Sequence, residues 1–143
     1  MSEHVAPPAA VGSVASRRIR AWLIAAGIYN LAWGMWVVGF PNAGFDLVGI
    51  PRPNYPELWQ CIGMIVGVYG IGYLIAARDP VRHWPIVLVG LLGKLCGPLG
   101  FLQAASSGRF PWIAGLTILT NDLLWWPSFV AALRLAYSAR KRA

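Results

Sequence analysis

Four apolar stretches of about 20 residues take up most of this chain. They read AWLIAAGIYNLAWGMWVVGF at 21–40, LWQCIGMIVGVYGIGYLIAA at 58–77, WPIVLVGLLGKLCGPLGFLQAA at 84–105 and WIAGLTILTNDLLWWPSFVAAL at 112–133. At about 1.5 Å per helical residue, each is long enough for the ~30 Å of a bilayer interior. In 143 residues, four such runs leave room for little except turns. The chain is 57% hydrophobic and 12% charged, against the roughly 25% charged usual in soluble domains. A soluble core of this size has no use for so much apolar surface. The expected fold is therefore all-α, an integral membrane bundle of four transmembrane helices, over about 19–40, 56–77, 84–105 and 112–135. Residues 1–18 are expected as a disordered N-terminal tail ending in a basic flank, 19–137 as the membrane domain, and 138–143 as a basic C-terminal tail.

The net charge is +7, but the basic residues lie between apolar runs, so they read as topology signals and not as a nucleic-acid footprint. Arg17, Arg18, Arg20, Arg78, Arg82, Arg134, Arg140, Lys141 and Arg142 fall on one side of the four spans. Only Arg52 and Arg109 fall on the other. The positive-inside rule then predicts both termini in the cytoplasm and a multi-pass protein of the cell's plasma (inner) membrane. SRRIRAW at 16–22 resembles a twin-arginine export signal. No small-x-small cleavage site follows the apolar run, so a permanent first helix is expected.

The loop 41–56 holds Pro41, Pro51, Pro53 and Pro56, which stiffen it. Its FDLVGI segment is apolar enough to lie on the membrane surface or cap the bundle. Asn54 and Glu57 have capping-box spacing around Pro56, placing the second helix start near 55. The short 78–83 turn predicts a tight hairpin of the second and third helices.

Glycines recur at 63, 67 and 70 in the second span, and at 90, 93, 97 and 100 in the third. Such 3/4 spacing keeps one helix face bare. Lipid offers no hydrophobic drive for helix pairing, so close packing relies on small residues. The second and third helices are expected to press together along these seams.

Polar residues interrupt three spans at one depth. Lys94 and Asp122 each lie about ten residues from a span end, and Asn30 and Asn121 join them near the midplane. A lone charge at a helix centre costs roughly 2.5–3.5 kcal/mol on insertion scales, and intramembrane ionisable groups point to function. Lys94 and Asp122 are the only opposite charges available to each other there, so they should pair or share a polar cavity. Pro98 and Pro127 cannot donate to the carbonyls of Lys94 and Leu123, four residues back, and should kink both helices and free those oxygens. Trp33 and Trp125 are deep enough to flank an apolar ligand.

No Walker loop, dinucleotide fingerprint or zinc motif is present, and neither histidine, His4 or His83, is placed for an intramembrane haem. No cofactor is named and no metal site is expected. Cys61 and Cys96, 35 positions apart, have no metal or redox spacing and read as ordinary buried cysteines.

Several phrases together resemble a group of small bacterial four-helix membrane proteins. These are YNLAWG at 29–34, NYPELWQCIGMIVGVYGIGYLIAARDP at 54–80, HWPIVLVGLLGKLCGPLGF at 83–101 and TNDLLWW at 120–126. Some members of that group carry an alkyl hydroperoxide reductase label. In size and helix count the chain is also similar to DoxX-like proteins, some of which are thought to assist redox complexes. The chain has no Cys-x-x-Cys, so the resemblance assigns no peroxidatic role to either cysteine.

The expected function is binding of a small, mostly apolar molecule at a midplane site. Lys94 and Asp122 would supply polarity there, Asn30 and Asn121 hydrogen bonds, and Trp33 and Trp125 walls. Conversion or transport of that molecule would use the same site. Alternatives from other classes are an accessory subunit of a larger membrane redox complex, and a proton-coupled small exporter with Asp122 as carrier. Expected partners are the bilayer, the small ligand, and a second copy or a membrane complex. Nucleic acid is not among them.

Overall fold

A computed structural model describes residues 14–142. Its regular structure is helical: α1 (Val14–Gly39), α2 (Ala43–Val48), α3 (Pro56–Arg78), α4 (Trp84–Ser106), α5 (Gly115–Asn121) and α6 (Trp126–Arg140). Single 3₁₀ turns at Trp112–Ala114 and Leu123–Trp125 precede α5 and α6. α1, α3 and α4 are long and apolar enough to cross a membrane, as a multi-pass membrane protein requires. Their outward faces carry large apolar side chains such as Met64, Val68, Leu92 and Leu99, all exposed.

Most of the expected tail lies outside the described residues. Its last part, from Val14, is already helical, and α6 continues to Arg140 within the expected C-terminal tail. Ala, Ser and Arg in VASRRIR tolerate a helix well, so no breaker delays α1. α3 starts at Pro56, since proline's missing N–H costs nothing in a first turn. The capping box does not form, because Tyr55 holds the cap position without a side-chain bond. In the turn after α3, Asp79 Oδ1 accepts the N–H groups of Val81 at 3.1 Å and Arg82 at 3.0 Å. That local bonding folds α4 back beside α3.

The glycines pack differently from the sequence expectation. α3 sets Gly63 and Gly70 against α1, not α4. A Cβ added at Gly34 would lie 2.5 Å from the Gly63 carbonyl oxygen, and one at Gly70 would lie 2.7 Å from that of Gly27. Bare backbone on both helices allows this approach. Gln60 Nε2 donates to the Val38 carbonyl at 2.8 Å, satisfying one of the last oxygens of α1. α3 and α4 meet much less closely, because the Tyr73 ring of α3 stands between them at Gly90.

The fourth apolar segment is not one helix. It breaks at Asp122, whose backbone leaves the helical region (φ −121°, ψ −66°). Pro127 does not kink a continuous helix but stands in the first turn of α6. Pro98, by contrast, lies inside α4, which runs on through it.

The two halves of the bundle pack unlike each other. Ile19, Leu23 and Ala26 of α1 meet Tyr73, Ala76 and Ala77 of α3, Val87 of α4, and Phe129 and Ala132 of α6 in a closed core. Small alanines let these helices approach. In the other half α5 buries no residue, and space is left between α1, α3, α4 and α5. α2 caps that half: Phe45 packs edge-on against Trp59 at 5.3 Å between ring centroids, while Leu47 points outward.

Candidate functional site

The hollow half holds a partly open cavity of about 620 Å³, a size usual for small-molecule sites. Of the six residues expected at a site, Asn30, Trp33, Lys94, Asn121 and Asp122 line it. Trp125 does not. It is buried in the closed core against Trp22 and Tyr29, and its Nε1 donates to the Thr120 carbonyl at 2.8 Å.

α4 forms one wall through its glycines. A Cβ at Gly90 would come within 2.5 Å of the Tyr73 ring, and one at Gly97 would lie 3.0 Å from Asp122 Oδ2. Glycine is needed at both places because an aromatic ring and a carboxylate occupy the space. Cβ atoms at Gly93 and Gly100 would meet nothing within 4 Å.

The position of Lys94 follows from the break beside Asp122. In an unbroken helix the Trp125 N–H would bond the Asn121 carbonyl. Here that N–H bonds the Asp122 carbonyl instead, at 3.1 Å. The freed Asn121 oxygen accepts from the Lys94 ammonium. Lys94 is only 5% exposed, so this bond replaces hydration that burial removes. The ammonium also stands 5.8 Å from the centre of the Tyr73 ring, within cation–π range.

The expected Lys94–Asp122 ion pair is therefore not made. The two side chains share the cavity, and the break presents the backbone oxygen of Asn121 to Lys94 in place of the carboxylate. The expectation that proline-freed carbonyls would stay open is also corrected. The Lys94 carbonyl, which Pro98 cannot reach, accepts from Trp126 Nε1 at 3.2 Å. The Leu123 carbonyl, which Pro127 cannot reach, accepts from the Trp126 backbone N–H. One tryptophan thus satisfies both.

Three polar side chains in the cavity keep unused hydrogen-bonding capacity. Asn121 Oδ1 is buried with no partner. Asn30 is 3% exposed and its amide makes no side-chain bond. No described group donates to the Asp122 carboxylate. Buried polar atoms are ordinarily paired, so the Asn121 Oδ1 atom stands out among the described residues.

The other end of the cavity is apolar. Trp33 and Trp59 meet edge-to-face at 5.7 Å. With Phe110 and Thr117 they also border a second, smaller cavity of about 180 Å³ beneath α2. The loop beyond α2 is tied by a two-pronged ion pair: Arg52 Nε and Nη2 each lie 2.7 Å from an oxygen of Asp46. Hydrogen bonding to Arg52 holds the Asp46 carboxyl below its usual value, and the same bond raises Arg52.

The sequence did not single out Tyr73 or Trp126. Tyr73 is 2% exposed, wedged between Phe129 and Gly90, with its hydroxyl towards the cavity wall. The glycine at 90 was its one visible signal. Trp126 was legible only as one of several aromatics after Asp122. Cys61 and Cys96 are free and exposed, not buried, because both lie on outward helix faces. No three His, Cys, Asp or Glu side chains cluster among the described residues. No family model, no curated protein and no solved structure matches this chain.

Proposed function

We propose that this chain is a multi-pass protein of a bacterial plasma membrane that binds a small, mostly apolar molecule in the cavity of its hollow half. The fourth segment crosses the bilayer as the broken pair α5–α6, and both termini face the cytoplasm. One observation carries the binding reading. Among the described residues Asn121 Oδ1 is buried without a partner, and Asn121 lines one cavity with Asn30, Lys94 and Asp122. Irregular backbone at membrane depth is tolerated where it is buried in protein or lines a cavity. The broken fourth segment has that setting. The nine basic residues on the side of the termini support the orientation.

Native mass spectrometry of the protein released gently from nanodiscs tests this. The wild type should carry an added mass that is lost in Asp122→Asn. Bare protein in both cases, from several lipid backgrounds, would count against a ligand site and favour an accessory subunit.

A further inference from the structure

The polarity of the cavity has a direction and a sign. At its deep end Lys94 of α4 bonds Asn121 beside the α5–α6 break, and Asn30 and Asp122 line the same cavity. Its other end, at Trp33, Trp59 and Phe110, adjoins the apolar space beneath α2. The formal charges of Lys94 and Asp122 cancel, so the deep end offers no net charge to a ligand. It offers both kinds of hydrogen-bonding group. An ammonium has three N–H donors, and Lys94 uses one on the Asn121 carbonyl. Asn121 Oδ1 is a buried acceptor without a donor, and no described group donates to the half-buried Asp122 carboxylate. The Asn30 amide, nine-tenths and more buried, can act either way.

From this we infer that the ligand is a single-tailed amphiphile with an uncharged head group that both donates and accepts hydrogen bonds, such as a hydroxyl or a primary amide. The inference rests on the binding-site reading above. The head lies at Asn30, Lys94 and Asp122, and the tail runs between Trp33 and Trp59 towards α2. A head that only accepts leaves Asp122 and Asn121 Oδ1 unpaired. A cationic or anionic head meets one of the two charges as a repulsion. In both cases a buried polar group is left unsatisfied, which discriminates more strongly than a lost favourable contact.

The test uses the full chain in nanodiscs and quenching of tryptophan fluorescence, since Trp33 and Trp59 border the tail. The probes are dodecanol brominated at the chain terminus, its methyl ether, and the matching trimethylammonium and carboxylate. Two variants control for partitioning into lipid. Gly93 lines the cavity and Gly100 does not, while a Cβ at either meets open space, so leucine at either position should fold. The bromo-alcohol should quench saturably in the wild type and in Gly100→Leu, and lose the saturable part in Gly93→Leu. The methyl ether and both charged probes should bind about tenfold more weakly or worse. If the ether or a charged probe matches the alcohol, the head-group inference is overturned and the site stands. If no probe quenches saturably, or Gly93→Leu behaves as wild type, the binding site itself is overturned.

Discussion

Trp126→Phe tests the structural account of the site most directly. Pro98 has no N–H for the Lys94 carbonyl, and Trp126 Nε1 supplies the bond from the fourth segment at 3.2 Å. That is the long end of the normal range. Hydrogen bonds between membrane helices average about 0.6 kcal/mol and reach about 1.7, whereas an orphaned buried acceptor costs about 1–3 kcal/mol. The long bond and the buried oxygen together suggest a loss of about 1 kcal/mol from the hydrogen bond alone. The substitution also shrinks the ring, which adds a packing loss unrelated to that bond. Pro98→Ala separates the two effects. Alanine at 98 returns the helical N–H to the Lys94 carbonyl, so in that background Trp126→Phe should lose only the packing part. A double-mutant cycle across the two positions should then show a coupling of about 1 kcal/mol. Reversible unfolding of the four proteins in mixed micelles of rising SDS fraction, followed by circular dichroism, measures it. Equal cost of Trp126→Phe in both backgrounds would refute the claim that the indole replaces the bond proline removes.

Other outcomes follow from the same geometry. Lys94→Met should destabilise by about 1–3 kcal/mol by stranding the Asn121 carbonyl. Adding Asp122→Leu should not restore stability, because the partner of Lys94 is backbone; full recovery in the same micelle assay would instead show an ion pair. Gly34→Ala should cost about 1–3 kcal/mol, since its Cβ would press on the Gly63 carbonyl. Gly67→Ala, whose Cβ meets nothing within 4 Å, should be near neutral, and a similar loss at both sites would deny the α1–α3 contact. The Asp46 carboxyl is held below its ordinary 3.8 by Arg52, so the ion pair supports the loop 42–52 at pH above that value. The support is lost as pH falls through the lowered value. Proteolysis at Phe45 or Leu47 within the loop should therefore rise on strong acidification in the wild type, with an acid-tolerant protease that cuts beside aromatic and leucine residues. Asp46→Asn should be equally open at neutral pH, and a protection that Asp46→Asn leaves unchanged there would remove the ion pair as its cause.

Much of the fold was legible because one local property decided it. Runs of about 20 apolar residues can only be helices where no water is available to their backbone. Pro56 then starts α3 by local chemistry. Rise per residue converts position into height along a straight helix, and five of the six candidate residues chosen by height line one cavity.

Partners were not legible, since depth says nothing about rotation. A glycine spacing shows that a helix face is bare, not which neighbour it meets. The glycines of α3 took the backbone of α1, while those of α4 took the Tyr73 ring and the Asp122 carboxylate. The same limit explains Trp125, which has the right height but faces the closed core. It also explains Lys94. Its sequence shows a charge that needs a partner and an aspartate at matching height. Only the tertiary structure decides that the fourth segment breaks at Asp122 and offers the Asn121 carbonyl first. A helix break depends on whether neighbouring helices can supply the bonds the backbone loses. Lys94 supplies one here, to the Asn121 carbonyl, across a distance in the chain that no local pattern records.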